Sequence, residues 1–267
     1  MTRSPVKTVP VDDVMLAYRE SGCGHPVIFI SGLGSTIEMW NPPVIEKLSG
    51  HFRVVLFDNR GMGYSGGSAR PFSIPLLARD TALLMEALGI ASAHIVGHSM
   101  GASIAQELVL MFPEKVTRLV LVSGTCGGPG SVPMQPETMA RLTDKSGTVQ
   151  DVTDRMFSLL FPASWLARHD PARYCPEIDE APGNEIVERQ ASAFSSWAGS
   201  FSRLGDIRVP TLVVTGTDDL IVPPANSRII HERIPGSQLV VIPGTGHGLM
   251  YQCPDRFCDR VTEFFDY

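Results

Sequence analysis

The stretch HIVGHSMGASIAQE, residues 94 to 107, changes from a strand pattern to a helix pattern around one serine. An apolar run ends at Gly97, a helix-forming run follows Gly101, and Ser99 stands between them. In a tight strand-to-helix turn, glycines at this spacing remove Cβ atoms that would collide with neighbouring backbone. The turn exposes its central hydroxyl at a helix N-terminus, where backbone N–H groups favour negative charge. The spacing therefore predicts that Ser99 is a nucleophile.

Short apolar runs recur on both sides of this turn, with helical patterns between them. The strand candidates lie at 27–32, 53–58, 93–97, 118–124, 211–216 and 238–244. Their nearly continuous apolar character is typical of strands covered on both faces. The alternation predicts a three-layer α/β fold with a mostly parallel central sheet and helices on both faces. Residues 6–21 predict an antiparallel hairpin at the sheet edge.

The alternation is interrupted once, because residues 127–205 contain no strand candidate. We expect this segment to be a helical lid inserted after the sixth strand. It would lie over the carboxyl edge of the sheet, where open α/β sheets bind ligands. Residues 1–126 and 206–267 would then form the core domain.

Aromatic residues near the end of this insertion recur at three- and four-residue steps. With one leucine they predict a single apolar helix face, formed by Phe194, Trp197, Phe201 and Leu204. This face is expected mainly to dock the lid on the core, with pocket lining as the alternative.

An acid and a base follow two later strand candidates. Asp218 and Asp219 follow 211–216 after one intervening residue, and His247 follows 238–244. A serine hydroxyl needs a base to become nucleophilic, and that base needs an orienting group. The chain order serine, acid, histidine matches one known arrangement of such groups.

Four motifs in order resemble those of the α/β-hydrolase superfamily, over nearly the whole chain. SGLGS (31–35) resembles the family's His-Gly-x-Gly oxyanion loop, with Ser31 in place of histidine. FDNRGMGYS (57–65) resembles its Asp-x-Arg-Gly-x-Gly-x-Ser motif. The acid segment (206–223) and GTGHG (244–248) complete the set. The resemblance is to a lid-bearing serine esterase or enol-lactonase of that fold.

The resemblance implies a catalytic role for several matched positions. Ser99 would be the nucleophile, Asp219 the acid and His247 the base. The backbone N–H groups of Leu33 and Met100 would form the oxyanion hole.

Asp219 is preferred to Asp218 as the acid because of its spacing from two neighbours. The family's acid lies three residues after a glycine and four before a proline, which matches Gly216 and Pro223. Weaker candidates for the substrate pocket are Gly32, His98, Trp165, Phe194 and Trp197. In the second motif, we expect an ion pair between Asp58 and Arg60.

Composition narrows the classes of partner. Among 267 residues, 22 Lys and Arg stand against 28 Asp and Glu, a net charge of −6, with no basic cluster for nucleic acid. No apolar run reaches the ~18 residues of a membrane span. Without a signal-peptide pattern, we expect a cytoplasmic protein. Five scattered cysteines indicate no disulfide framework, and no spacing indicates a metal or cofactor site.

The leading hypothesis is a cofactor-free serine hydrolase that cleaves an ester or lactone of a small, largely apolar substrate. A carbon–carbon-bond hydrolase or an acyl thioesterase would use the same triad. Two further alternatives stay open: a non-hydrolytic enzyme of this fold (lyase, perhydrolase or cofactor-free dioxygenase), and a non-catalytic ligand-binding protein. The oligomeric state, monomer or homodimer, is left open.

Overall fold

In the computed structural model, which describes residues 4–180 and 183–266, eight strands form one sheet. The strands are β1 (Lys7–Val11), β2 (Val14–Ser21), β3 (Pro26–Ile30), β4 (Arg53–Phe57), β5 (Ala93–His98), β6 (Val116–Val122), β7 (Thr211–Gly216) and β8 (Gln238–Ile242). Their order is β1-β2-β4-β3-β5-β6-β7-β8. The β1–β2 and β2–β4 pairs are antiparallel, and all other pairs are parallel. The predicted edge hairpin and the mostly parallel sheet are confirmed.

Strand β3 illustrates why the central strands are apolar throughout. Its side chains alternate between the two faces of the sheet. Ile28 and Ile30 belong to one buried cluster, and Val27 and Phe29 belong to the other. All four are 0% exposed. Both faces of the sheet are therefore covered, as a three-layer fold requires.

Helices supply the two outer layers. The core helices are α1 (Pro42–Ser49), α2 (Ile74–Ala87), α3 (Met100–Met111), α8 (Ala225–Arg233), α9 (Leu249–Gln252) and α10 (Pro254–Asp266). Helices α2, α3 and α8 contribute to the cluster that contains Ile28. Helices α1, α9 and α10 contribute to the cluster that contains Phe29. The predicted fold class is confirmed.

Between β6 and β7 the described residues form helices and turns without a strand. The helices are α4 (Pro136–Thr143), α5 (Val149–Leu160), α6 (Ala163–Leu166) and α7 (Asn184–Ser195). They lie within residues 127–205, called the 127–205 insertion below. Its role as a lid stays a prediction. No helix in the described part of the chain is long and apolar enough to cross a membrane.

The prediction of one continuous aromatic helix face is wrong. Helix α7 ends at Ser195, and the later aromatic residues lie in a turn and in a short 3₁₀ helix, Phe201–Asp206. Gly199 between them has φ +89°, and a Cβ there would lie 2.6 Å from the carbonyl oxygen of Gly127. Helix α7 has thus ended before Gly199, where the chain turns against a second segment, and the aromatic residues do not share one helix.

The predicted Asp58–Arg60 ion pair is also wrong. Arg60 is fully buried and donates two 2.6 Å hydrogen bonds to the carboxylate of Asp80 in α2. Asp58 instead accepts the backbone N–H groups of Ile37 (2.7 Å) and Tyr64 (3.0 Å). A buried guanidinium needs a bidentate acceptor, and the Asp58 oxygens are already occupied by these loop amides.

Candidate active site

The turn between β5 and α3 holds Ser99 in an unusual backbone conformation. Its φ is +56° and its ψ is −121°, a region that non-glycine residues rarely adopt. The Ser99 N–H donates to the carbonyl oxygen of Val122 at the end of β6 (2.9 Å), which anchors the turn to the neighbouring strand. Strain of this kind concentrates at functional sites.

The two glycines of the motif are required by close backbone contacts. A Cβ on Gly97 would lie 2.4 Å from the carbonyl oxygen of Gly101. A Cβ on Gly101 would lie 2.0 Å from the carbonyl oxygen of Ile30. Both distances are far below van der Waals contact, so the Gly-x-Ser-x-Gly spacing follows from this packing.

Asp219 and His247 form a buried pair. The Nδ1 atom of His247 lies 2.8 Å from Oδ2 of Asp219, and each residue is 4% exposed. The other carboxylate oxygen of Asp219 accepts the N–H groups of Ile221 (3.0 Å) and Val222 (2.9 Å). The carboxylate is thus fixed by its own loop and holds the imidazole with its second oxygen.

The surroundings of Asp219 favour its ionised form. Burial by itself raises the pKa of this carboxyl, but the charge and hydrogen bond of His247 and the N–H of Val222 lower it below its usual value. The buried hydroxyl of Ser123 lowers the pKa further, although it stays outside hydrogen-bonding geometry. Asp219 is therefore an anion at neutral pH.

Asp218 lies in a different environment. It is exposed, and its backbone N–H donates to the carbonyl oxygen of Thr245 (2.9 Å). The structure brings Asp219, not Asp218, to His247.

The histidine loop contacts the serine turn through His98. The His98 and His247 ring centroids are 4.9 Å apart, and Nε2 of His98 lies 3.3 Å from the carbonyl oxygen of His247. Since a carbonyl can only accept, Nε2 of His98 carries the proton. Burial, followed by the charge of His247, lowers the pKa of His98 to about 3, so this ring is neutral.

Ser99 Oγ makes no hydrogen bond to any described residue, and Asp219 engages only Nδ1 of His247. Nε2 therefore remains the ring nitrogen that can accept a proton. Catalytic hydrogen bonds are often loose without substrate and tighten when it binds.

The 31–35 loop packs directly against Ser99. A Cβ on Gly32 would lie 3.1 Å from Cβ of Ser99 and 3.6 Å from its Oγ. The N–H groups of Leu33 and Met100 make no hydrogen bond within the described residues. Met100 is the first residue of α3, so its N–H has no acceptor inside the helix. Both predicted oxyanion donors are thus free of acceptors among the described residues, one in the 31–35 loop and one at the start of α3.

Trp165 connects to the histidine loop through another aromatic ring. It stacks on Phe161 with a centroid distance of 4.7 Å and on His169 at 4.4 Å. Phe161 in turn covers Gly248, where a Cβ would lie 2.4 Å from Cε1 of the phenyl ring. Trp165 is therefore one ring removed from the segment that carries His247.

No hydrogen bond or ring contact within the described residues joins Trp197 or Phe194 to Ser99 or His247. Trp197 donates from Nε1 to Oε1 of Glu107 (2.8 Å), about two turns along α3 from Ser99. Phe194 packs against the same core cluster. Both occupy the face that docks the 127–205 insertion on the core.

Two residues that the sequence analysis did not single out lie at this site. Ser123 directly follows β6 and has φ +48° and a fully buried side chain. Gln190 in α7 accepts the N–H of Gly34. A strand end beside the serine turn was a usable signal for Ser123, whereas nothing near Gln190 in the sequence indicates its partner, 156 positions away. No group of three or more His, Cys, Asp or Glu residues in the described chain could hold a metal ion.

Comparison with known proteins identifies the family. The family model of the alpha/beta hydrolase fold matches residues 25–253. The chain belongs to the α/β-hydrolase fold family. This match spans the serine turn, the acid and the histidine together.

Three similar proteins are hydrolases by name, and another relative, of Mycobacterium tuberculosis and 31% identical, is named a putative non-heme bromoperoxidase. "Putative carbamate hydrolase RutD" of Azorhizobium caulinodans is 32% identical over 94% of this chain and 95% of its own length. The enol-lactonase of Burkholderia xenovorans LB400 is 26% identical, with a TM-score of 0.81 over 98% of this chain and 100% of that one. A meta-cleavage product hydrolase of Pseudomonas fluorescens IP01 is 25% identical, with a TM-score of 0.79 over 97% of each chain. These α/β-hydrolase relatives support a hydrolase activity on a small molecule.

Proposed function

We propose that this α/β-hydrolase is a serine hydrolase that cleaves a carboxylic ester or lactone through an acyl-enzyme on Ser99. One observation carries the proposal. His247, which forms a buried pair with Asp219 at 2.8 Å, lies on a loop that contacts His98, the residue before Ser99 with its positive φ. A nucleophile, a base and an orienting acid are the three parts that acyl transfer needs.

In the first half-reaction, Ser99 Oγ attacks the carbonyl carbon of the substrate. His247 Nε2 takes the serine proton, and the carbonyl oxygen becomes an oxyanion. As the tetrahedral intermediate collapses, the bond to the leaving oxygen breaks and His247 returns the proton to that oxygen. The products of this step are an alcohol, or the ring-opened hydroxyl of a lactone, and an acyl ester on Ser99.

In the second half-reaction, water replaces Ser99 as the attacking group. His247 accepts a proton from the water, and the new tetrahedral intermediate releases the carboxylic acid. The proton held by His247 goes back to Ser99 Oγ, which restores the enzyme. No redox partner or cofactor is needed to balance these steps.

Two groups of atoms would stabilise the charges that develop. The oxyanion would lie between the free N–H groups of Leu33 and Met100, which have no competing acceptor in the described chain. The imidazolium of His247 would be stabilised by Asp219, whose lowered pKa keeps it ionised.

The 127–205 insertion favours a small, largely apolar acyl or ring substrate. Its aromatic residues Phe161 and Trp165 lie beside the segment that carries His247. Burying each methylene of a substrate contributes ~0.8 kcal/mol. We infer that the insertion acts as a lid over this substrate.

Carbamate hydrolysis is the second candidate. It is favoured by the 32% identical relative that carries that name and is matched over 95% of its length. The triad chemistry is the same, since a carbamate carbonyl also passes through an oxyanion. The two candidates differ only in the group attached to the carbonyl.

The decisive experiment replaces the nucleophile. Ser99→Ala should abolish labelling by a fluorophosphonate probe and lower turnover of aryl esters and lactones on the order of 10⁴-fold or more, with an unchanged melting temperature. A panel of aryl esters, lactones, carbamates and acyl thioesters of graded size identifies the substrate class. Turnover by Ser99→Ala within tenfold of the parent would contradict the proposal.

A further inference from the structure

One hydrogen bond joins the 127–205 insertion to the loop that carries a proposed oxyanion donor. The N–H of Gly34 donates to Oε1 of Gln190 at 3.0 Å. Gln190 is 0% exposed and lies in α7, whereas Gly34 follows Leu33 directly. This bond holds the peptide next to the one whose N–H is free for an oxyanion.

The Leu33 side chain packs against the core cluster, and the other hydrogen bonds found for the 31–35 loop among the described residues lie near its two ends. Gly32 packs on Ser99 at one end, and the N–H of Ile37 donates to Asp58 beyond the other end (2.7 Å). Within the loop, Ser35 donates to the carbonyl oxygen of Gly32 at a long 3.3 Å. Gly34 itself has φ +70°, a conformation open to a flexible glycine. The Gln190 bond is therefore the hydrogen bond that fixes the backbone in the middle of the loop.

Helix α7 is attached to the core by other contacts as well. Arg189 donates from Nη2 to the carbonyl oxygens of Ser68 (2.8 Å) and Arg70 (2.6 Å), and its guanidinium lies 4.1 Å from the ring centre of Phe72. The Gln190–Gly34 bond is thus not needed merely to dock the helix.

The amide nitrogen of Gln190 shows in which orientation this side chain is held. Its Nε2 is buried and has no acceptor within the described chain, which is uncommon for a polar group in a protein interior. Turning the amide over would set Nε2 against the Gly34 N–H, two donors facing each other. The side chain is therefore held in one orientation, with its oxygen on the loop.

We propose that Gln190 is a positioning residue that holds the 31–35 loop so that the Leu33 N–H faces the oxyanion. This inference rests on the proposed acyl transfer at Ser99. The position of α7 in the 127–205 insertion would then determine the direction of the Leu33 N–H in the core, and so the geometry of the oxyanion hole. Gln190 itself acts through the loop and not on the reacting atoms.

The test compares Gln190→Met, which removes the acceptor at similar length, with Arg189→Met as a matched control on the same helix. Arg189→Met removes the bonds to Ser68 and Arg70 but leaves the Gly34 bond in place. With p-nitrophenyl butyrate, Gln190→Met should lower kcat about 10- to 100-fold, somewhat less than loss of a direct oxyanion donor. KM should stay close to that of the parent, and Arg189→Met should keep the parent kcat.

Inhibitors separate an effect on the oxyanion from general loosening of the site. Ser99 Oγ adds to the carbonyl carbon of a trifluoromethyl phenethyl ketone and gives its proton to His247, so the hemiketal that forms bears an oxyanion. The corresponding secondary alcohol cannot form this adduct and bears no oxyanion. Gln190→Met should weaken inhibition by the ketone by the same factor as kcat/KM and leave binding of the alcohol unchanged. If Gln190→Met does not fold, Gln190→Leu takes its place, with folding checked by near-ultraviolet circular dichroism.

Three outcomes would overturn the inference. They are an unchanged kcat in a folded Gln190 variant, an equal loss in Arg189→Met, and equal weakening of the ketone and the alcohol. The proposed function fails separately, when the parent neither hydrolyses the ester nor is labelled by a fluorophosphonate at Ser99.

Discussion

At the residue scale, the carboxylate of Asp219 serves three donors at once. One oxygen accepts the N–H groups of Ile221 and Val222, and the other faces Nδ1 of His247. The loop N–H groups fix the orientation of the carboxylate through one oxygen, and the carboxylate orients the imidazole of His247 through the other. An asparagine at position 219 has only one acceptor oxygen, so it could accept hydrogen bonds either from the loop N–H groups or from His247, but not from both.

We predict that Asp219→Asn lowers kcat about 10³- to 10⁴-fold, by analogy with other triads. The asparagine oxygen would keep the loop amides and its NH₂ group would face His247. Nδ1 would then have to accept, which places the proton on Nε2 and prevents that atom from taking the serine proton.

The measurement is steady-state hydrolysis of an aryl ester by the parent, Asp219→Asn and Asp218→Asn. Asp218 is exposed, so its amide variant should behave much like the parent. A larger loss in Asp218→Asn than in Asp219→Asn would assign the acid to the other aspartate.

At the scale of elements, the 127–205 insertion has few free cations to offer a substrate. It contains seven Lys and Arg against ten Asp and Glu. Six of the seven cations already form hydrogen bonds or ion pairs within the protein: Arg141, Arg155, Arg168, Arg173, Arg189 and Arg203. A polyanionic coenzyme A group needs clustered, available cations.

We therefore predict a higher kcat/KM for a neutral ester or lactone than for the coenzyme A thioester of the same acyl group. The ratio should be measured at low and at moderate salt, because salt screens attraction between exposed charges. A preference for the coenzyme A thioester that weakens with salt would instead indicate a thioesterase.

At the scale of the whole molecule, buried neutral histidines make the fold sensitive to acid. His94 is 7% exposed and stacks on Phe265 with a centroid distance of 4.2 Å. Burial, followed by the charges of His25 and Arg118, lowers the pKa of His94 to about 3. An unfolded histidine has a pKa of about 6.5.

Between about pH 6.5 and pH 3, the unfolded chain then binds a proton at His94 that the folded chain does not. The free energy of unfolding should fall as the pH falls through this range, by at most about 1.4 kcal/mol per pH unit for this group. Asp58 acts in the opposite direction, since burial raises its pKa to about 6. The contribution of His94 is obtained by comparing the pH dependence of the free energy of unfolding between the parent and a variant that lacks this histidine.

We predict that His94→Phe, which keeps a ring on Phe265, reduces the loss of stability between pH 6.5 and pH 4. Urea unfolding at several pH values gives the slope for each protein. Phe257→Leu is the control, since this buried ring of α10 belongs to the same cluster as Phe265 but makes no ring contact with His94, so its loss should lower stability by the same amount at every pH. Equal slopes for His94→Phe and the parent would contradict the assignment.

The sequence by itself determined the features that local geometry enforces. Strand runs could be read from it because residues such as Val27 to Ile30 must be apolar on both faces of a covered strand. The serine turn could be read because Gly97 and Gly101 leave no space for a Cβ. The resemblance of residues 206–223 to the family's acid segment implied Asp219, the aspartate that the structure brings to His247.

Only the tertiary structure decided which distant groups meet. Arg60 pairs with Asp80 and not with Asp58, because the amides of a separate loop already occupy the Asp58 carboxylate. The aromatic residues do not share one helix, because α7 ends at Ser195 and the chain then turns at Gly199 against Gly127. Gln190 reaches Gly34 across 156 positions. Such contacts depend on how whole helices, strands and loops pack together. The periodicity or spacing within one segment does not indicate which residue of another segment it will contact.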